Sequence, residues 1–316
     1  MAAFGGPEHL VLENRPVPAI GPGQVLVGIE AAGVGHIDVL AMTGQYPFVT
    51  SPGFTPGFEI AGTVEAIGTS VDRSWAGCRV FAMLATGGFA EKAVVEADKL
   101  IRIPDAVSSA QAVAVGINGL VASLGLVRMT NIAGRRVLVR GAGGGIGLMA
   151  VQLSALRGGT VTAVTSSTDR GERLLKLGAS HVLDRNSVER EDASAEYDIV
   201  VDTVAGPNIG DFFGRLANNG HYLLCGAAGG MPPADFGVGL LMNYHKSPSF
   251  HAFSLNSIGA DQHRAAAEAL FDQVVTGKLV PVIDKIVALE GTADAIQRVI
   301  DGRFFGKLVL HPTAQD

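Results

Sequence analysis

Residues 25–31 (VLVGIEA) and 60–68 (IAGTVEAIG) alternate apolar and small or polar side chains with a period near two, which predicts short, half-buried strands. Residues 80–83, 88–95 and 100–104 continue the series. Glycine and proline punctuate it closely, as in a strongly bent, partly closed sheet. From about residue 112 the rhythm changes. Apolar runs at 136–140, 160–165, 181–183, 198–202 and 220–225 predict strands, with helices after Gly147, around 171–177 and around 209–217. Strand alternating with helix in this order predicts a doubly wound parallel sheet, so the fold class is α/β. Beyond residue 255 the pattern predicts an amphipathic helix at 263–276, short strands at 282–287 and 307–310, and a helix at 292–301. Terminal strands of this kind commonly return to the first domain. The expected organisation is therefore a discontinuous domain of residues 1–112 and 256–316 with a second domain, 113–255, inserted.

Composition narrows the class of protein. A chain of 316 residues, 47% hydrophobic with 42 glycines, can bury a large core in two domains and is not disordered. The net charge of −6 is spread without a dense Lys/Arg stripe, which argues against nucleic acid as the main partner. The cluster Glu189-Arg190-Glu191-Asp192 reads as a solvated surface turn. Cys78 and Cys225 stand far apart with no CxxC spacing, which argues against a disulfide framework and a thiolate zinc site. No signal peptide pattern opens the chain, so a cytoplasmic protein is expected. Residues 110–127 are nearly uncharged and long enough to test as a membrane span. Gln111, Asn118 and Ser123 interrupt them, and Arg128 follows with no aromatic belt. The run reads as a buried helix of a soluble α/β protein, with no membrane partner.

The most specific stretch is VLVRGAGGGIGLMAVQL at 137–153, a buried strand, a glycine turn and a helix opening with small residues. Such a turn, here Gly141, Ala142, Gly143, Gly144, Gly145, Ile146 and Gly147, lets backbone N–H groups at a helix N-terminus meet a dinucleotide pyrophosphate. Gly144 and Gly147 allow close approach, to phosphate and to strand respectively, that a side chain would block.

Further motifs extend over essentially the whole chain: Phe4-Gly5-Gly6-Pro7-Glu8, Pro22-Gly23-Gln24-Val25-Leu26-Val27, Ala32-Gly33-Val34 with Asp38, Pro56-Gly57-Phe58-Glu59-Ile60-Ala61-Gly62, Gly277-Lys278-Leu279-Val280-Pro281 and Gly306-Lys307-Leu308-Val309-Leu310. With the glycine turn, these resemble the medium-chain dehydrogenase/reductase superfamily, in its zinc-free quinone oxidoreductase (zeta-crystallin-like) and enoyl reductase branch. The resemblance implies a Rossmann domain inserted in a GroES-like, β-rich catalytic domain, and a homodimer pairing through the edge strand around residues 250–255. The zinc-dependent members carry a cysteine where Gly35 stands and a histidine where Phe58 stands, and they insert a four-cysteine lobe that is missing after residue 83. Glycine and phenylalanine cannot ligate a metal, so no metal is expected, and His36 without partner cysteines reads as a satisfied or solvent-facing histidine. Quinone reductases also favour Asn where Gly35 stands and Thr where Val121 stands, so the nicotinamide contacts differ here.

In NAD enzymes of this fold an acid at the end of the second strand binds the adenosine ribose. Here that position is about Thr165, followed by Ser166, Ser167, Thr168, Asp169 and Arg170. No carboxylate ends the strand. Hydroxyl residues with Arg170 suit a 2′-phosphate, so NADPH (NADP+) is the expected cofactor. Two alternatives stay open: Asp169 serving the ribose from an offset turn, and Arg170 as a first-turn surface arginine.

Without zinc there is no Lewis acid to polarise a simple carbonyl. Quinones and α,β-unsaturated carbonyl compounds (enones, enoyl substrates) accept hydride readily, so a small hydrophobic molecule of that kind is the expected substrate. Tyr46 occupies the place of a tyrosine common in quinone and enoyl reductases. The resemblance gives it a cleft position with a hydrogen-bonding or proton-donating role; a wall aromatic without chemistry is the other reading. Asp38 is expected to hold its loop through backbone hydrogen bonds. Gly226 and Ala227, and Phe253 and Ser254, are expected near the nicotinamide. A glycine- and proline-rich turn at 229–233 and residues 236–244 read as a mobile, partly apolar cover. The reading of a different class is an NADPH-binding structural or regulatory protein with little turnover.

Overall fold

The computed structural model describes residues 1–129, 131–185 and 195–312. The cluster Glu189-Arg190-Glu191-Asp192 lies outside the described residues. The chain divides into two compact units: Met1–Ile117 with Gly259–Gly277 and Pro281–Asp316, and Asn118–Ile258 with Lys278–Val280.

The first unit opens with β1 (Gln24–Val34), α1 (His36–Met42), β2 (Glu59–Ile67), β3 (Arg79–Met83), β4 (Lys92–Glu96) and β5 (Ile101–Arg102). β1 pairs antiparallel with both β2 and β4, and its register against β2 shifts twice. Such irregularities bend a sheet. The bend demands glycine at one point, because a Cβ on Gly62 would lie 2.0 Å from the Gly28 carbonyl oxygen.

Next comes α2 (Ser109–Val127), the one helix among the described residues long and apolar enough to cross a membrane; 67% of its apolar window is buried inside the molecule. It kinks at Gly116, where φ −23° and ψ −110° leave the helical region. A side chain there would strike the Phe81 ring and the Glu59 carboxylate. The Ile117 N–H instead donates to Glu59 Oε2 (2.8 Å).

In the second unit follow β6 (Arg136–Arg140), α3 (Gly145–Leu156), β7 (Thr160–Thr165), α4 (Thr168–Lys176), β8 (His181–Asp184), β9 (Tyr197–Asp202), β10 (Leu216–Leu224), α5 (Val238–Met242) and β11 (Ser249–Ala252). The six strands form one parallel sheet in the order β11-β10-β9-β6-β7-β8. This is the doubly wound arrangement expected from the sequence. Two helices start earlier than expected: α3 at Gly145, and α4 at Thr168 because the Ser167 side chain caps it. The helix expected around 209–217 does not form. Gly210 and Gly214 weaken it, only Ile209–Phe212 makes a 3₁₀ turn, and β10 has begun by Leu216. Asn219, at φ +58°, then shifts the register before pairing resumes at His221. The residues expected as a cover divide: Phe236 and Leu240 pack on the core beside Phe250, while Leu241, Met242 and Tyr244 are exposed.

The chain returns to the first unit with α6 (Ala260–Val275), β12 (Ile283–Ala288), α7 (Thr292–Ile300) and β13 (Lys307–His311). β13 pairs with β1 and β12, giving a sheet ordered β12-β13-β1-β2-β3-β5 with β4 also on β1. Val27, Ile29, Ile60, Val80, Leu100, Ile296 and Leu308 build its core.

Candidate cofactor site

β6 ends at Arg140, and Gly141 turns the chain at φ +69°, a left-handed conformation that glycine adopts freely. The Gly144 N–H donates to the Gly141 carbonyl (3.0 Å), and Gly144 then caps α3 without a side-chain oxygen. The first-turn N–H groups of Gly145, Ile146 and Gly147 have no acceptor within the helix, as every helix start requires. With the helix dipole they suit an anion. Gly147 packs on the backbone of Gly141 and Ala142, and Gly145 on the Asn118 side chain. A Cβ on Gly144 would meet nothing nearer than 3.4 Å, so its open face can admit a ligand. β6 lies between β9 and β7, where the strand order reverses. The crevice at the carboxyl ends of such strands is where open α/β sheets bind ligands.

On the β7 side, Thr165 is buried at the strand end. Ser166 Oγ lies 3.4 Å from Arg170 Nη1, and Ser167 Oγ accepts the Arg170 N–H. Thr165, Ser166, Ser167 and Arg170 therefore come together, with Asp169 exposed in the same turn. Arg185 joins them: it follows β8, its N–H donates to the Thr165 carbonyl (2.7 Å), and its side chain is exposed. Sequence reasoning missed it, because only the pairing of β7 with β8 reveals the neighbour.

On the β9 side, Asp202 is fully buried. Its Oδ2 accepts from Arg140 Nη1 (2.6 Å) and the Tyr222 hydroxyl (2.5 Å), and its Oδ1 accepts the N–H groups of Val204 and Ala205. Burial and the Asp202 charge push the Tyr222 phenol well above its ordinary range, so it remains a donor. Burial likewise raises the Cys225 thiol. Gly226 packs on Thr203, and the chain after it is zipped to the same turn by the N–H groups of Ala228 and Gly229. Phe253 follows the edge strand β11, buried beneath the Arg128 guanidinium (5.3 Å), and Ser254 caps the next turn. These two lie farther along the sheet from β6 than Gly226 and Ala227.

In the first unit Tyr46 is half-buried, edge-on to Phe58 (5.3 Å) and to the exposed Phe48 (5.4 Å). Asp38 accepts the N–H groups of Gly35 (2.9 Å) and Gly57 (3.1 Å), the loop-holding role expected of it. Burial pushes its carboxyl up to about 7, against the pull of those bonds and of the Lys307 ammonium. Lys307 and Glu59 form a buried ion pair beside it.

Residues 21–105 match the family model of the alcohol dehydrogenase GroES-like domain, and residues 177–310 that of the zinc-binding dehydrogenase. The quinone oxidoreductase of Sus scrofa is 30% identical, over 97% of this chain and 95% of its own. The chain belongs to the medium-chain dehydrogenase/reductase superfamily. A human synaptic vesicle membrane protein VAT-1 homolog-like protein is 31% identical, over 98% of this chain and 79% of its own. Among superfamily structures, a mycobacterial protein complexed with NADPH is similar at TM-score 0.89 and 29% identity, covering 98% and 97% of the two chains. The quinone oxidoreductase of Pseudomonas syringae is similar at TM-score 0.89 and 28% identity, covering 98% of each. The protein is thus an oxidoreductase of medium-chain type. The zinc that one family description implies does not fit this superfamily member. Gly35 and Phe58 carry no donor atom, and Phe58 is packed in an apolar cluster with Ala41 and Val49. Among the described residues no group of three or more His, Cys, Asp or Glu side chains is arranged to hold a metal.

Proposed function

We propose that this protein is a zinc-independent, NADPH-dependent oxidoreductase that reduces a quinone or an α,β-unsaturated carbonyl compound. The observation that carries the reading is the end of β7, where the last strand residue is Thr165 rather than a carboxylate and Ser166, Ser167 and Arg170 gather, together with a glycine turn that caps α3 without a side-chain oxygen. A 2′-phosphate is favoured there by charge-assisted bonds, and a bare ribose is not. The NADPH complex of the similar mycobacterial protein supports it.

In this reading the first-turn amides of α3 and the turn Gly141–Gly147 bind the pyrophosphate, and Thr165, Ser166, Ser167 and Arg170 bind the adenosine end. Gly226, Ala227, Phe253 and Ser254 wall the nicotinamide end. Bound NADPH supplies the hydride. Tyr46 donates a hydrogen bond to the oxygen on which charge develops, and it or solvent supplies the proton that completes the two-electron reduction. Orientation and exclusion of water supply the remainder. The catalytic domain comprises residues 1–112 and 256–316, the nucleotide domain 113–255, and the chain works as a homodimer through its β11 edge.

The test is steady-state NADPH oxidation with a panel of quinones and 2-alkenals. Acceptor-dependent turnover with NADPH preferred over NADH is expected. Tight NADPH binding with no acceptor accelerating its oxidation would make the protein a cofactor-binding structural or regulatory molecule instead.

A further inference from the structure

Three buried polar residues in the nucleotide unit have no part in the reading above. Arg140, Asp202 and Tyr222 come from β6, β9 and β10, and the first two end the strands that flank the reversal of strand order. All three are buried: Asp202 and Tyr222 are fully enclosed and Arg140 is 4% exposed. We infer that they form a brace that sets the turn Thr203–Gly206 as the second wall of the dinucleotide crevice, facing the glycine turn. They are then positioning residues for the nicotinamide half of the cofactor. The inference rests on the NADPH reading.

The hydrogen bonds carry the argument. Asp202 spends one oxygen on Arg140 and Tyr222 and the other on the backbone of Val204 and Ala205. Arg140 reaches past the carboxylate with Nη2 to the Ala205 carbonyl (3.4 Å) and Asn208 Oδ1 (3.1 Å), its guanidinium 3.8 Å from the centre of the Phe212 ring. Ala205 is therefore gripped at both its N–H and its C=O. It needs the grip, because it sits at φ +55°, a region that residues with a side chain rarely adopt. The gripped turn touches both neighbours. The Thr203 hydroxyl donates to the Arg140 carbonyl (3.0 Å) and fills the space beside Gly141, where a Cβ would lie 2.3 Å from it. On the other flank Gly206 N–H donates to Gly230 O, and Gly229 N–H to Val204 O.

A buried ion pair is a weak source of stability, since apolar residues of the same volume often do as well. Its use here is directional: charge-assisted bonds specify one conformation of one turn. That turn lies on the β9 side of β6, whereas the adenosine-end residues Thr165–Arg170 follow β7 on the other side. The brace should consequently govern one half of the dinucleotide and not the other.

The test compares NADPH with adenosine 2′,5′-bisphosphate, which carries only the adenosine end, on wild type, Tyr222→Phe and Arg140→Met. Binding is followed by fluorescence and calorimetry, and folding by thermal unfolding. Tyr222→Phe preserves the ring and removes one donor, so it remains informative if Arg140→Met does not fold. The brace predicts that Tyr222→Phe weakens NADPH by about tenfold, the scale of one charge-assisted bond, and leaves the bisphosphate within about twofold. Equal weakening of both ligands, or of neither, in folded Tyr222→Phe overturns the brace while leaving the NADPH reading intact. Wild type that binds the bisphosphate and NADPH no better than NADH overturns the NADPH reading and the brace with it.

Discussion

A methyl group placed on Gly147 would lie 2.2 Å from the Gly141 carbonyl oxygen and 2.8 Å from the Ala142 Cα. The helix start and the strand end are therefore in backbone contact, with no space for a side chain. Gly144 differs, because its nearest neighbour would be 3.4 Å from the added Cβ. Gly147→Ala should destabilise the protein by about 1–3 kcal/mol through overpacking and abolish NADPH binding. Gly144→Ala should keep the melting temperature and weaken NADPH alone. Thermal unfolding and fluorescence titration on both variants check this. A Gly144→Ala protein that binds NADPH normally would remove the phosphate from that face.

Arg170 is held against Ser166 at the end of β7, in the same turn as the exposed Asp169. Arg170→Ala should raise the KM for NADPH by about 10–100-fold, the loss of one or two charge-assisted bonds, and leave NADH within about twofold. Arg185, whose N–H ties it to Thr165, should add a smaller effect of the same sign. Parallel loss with both cofactors would reassign Arg170 to the structure of α4.

Much of the nucleotide unit was legible from residues 136–225. Buried parallel strands are continuous apolar runs, and glycine turns mark their ends. The segment around 209–217 departs from the helical expectation because Phe212, Phe213 and Leu216 have helical spacing, yet they fill one core from a 3₁₀ turn and the start of β10, with Gly210 and Gly214 among them. Arg140, Asp202 and Tyr222 were invisible for another reason. Each sits in an apolar run where a polar residue reads as noise, and only strand register brings them within hydrogen-bond distance. The Asp38 bond to Gly57 spans 19 residues and was expected only as a loop contact; the proximity of Glu59 and Lys307 was not expected at all.

Tyr46→Phe keeps the edge contacts with Phe48 and Phe58 and removes only the hydroxyl. If that hydroxyl stabilises the developing oxyanion, kcat should fall by about a hundredfold with little change in melting temperature. An unchanged kcat would make Tyr46 a wall of the site and assign the proton to solvent.

Asp38 sets a pH dependence of stability. Its carboxyl has an ordinary value of 3.8 and rises to about 7 in the folded protein. Between those values the folded state holds a proton that the unfolded chain has released, so this group's contribution falls as pH rises and is fully lost above about 7. Asp38→Asn cannot titrate. It loses one acceptor for the Gly35 or Gly57 N–H at every pH, but the gap to wild type should narrow from pH 4 to 7. Denaturant unfolding across that range checks this, and a gap that stays constant or widens would mean that Asp38 stays ionised in the fold.

β11 ends the parallel sheet, and an edge strand is stable in isolation only if its outer groups are covered or solvated. Leu240 of α5, and Phe236 just before it, pack on the core beside Phe250 of that strand, while Leu241 and Met242 of α5 are 72% and 73% exposed. Pairing of two copies along β11 would pair the strand groups and cover those side chains together. Light scattering should then report twice the 32.6 kDa chain mass. Leu241→Glu should shift the population towards single chains while leaving the glycine turn, on the far side of β9, able to bind NADPH. A wild-type mass of one chain at micromolar concentration would rule the pairing out.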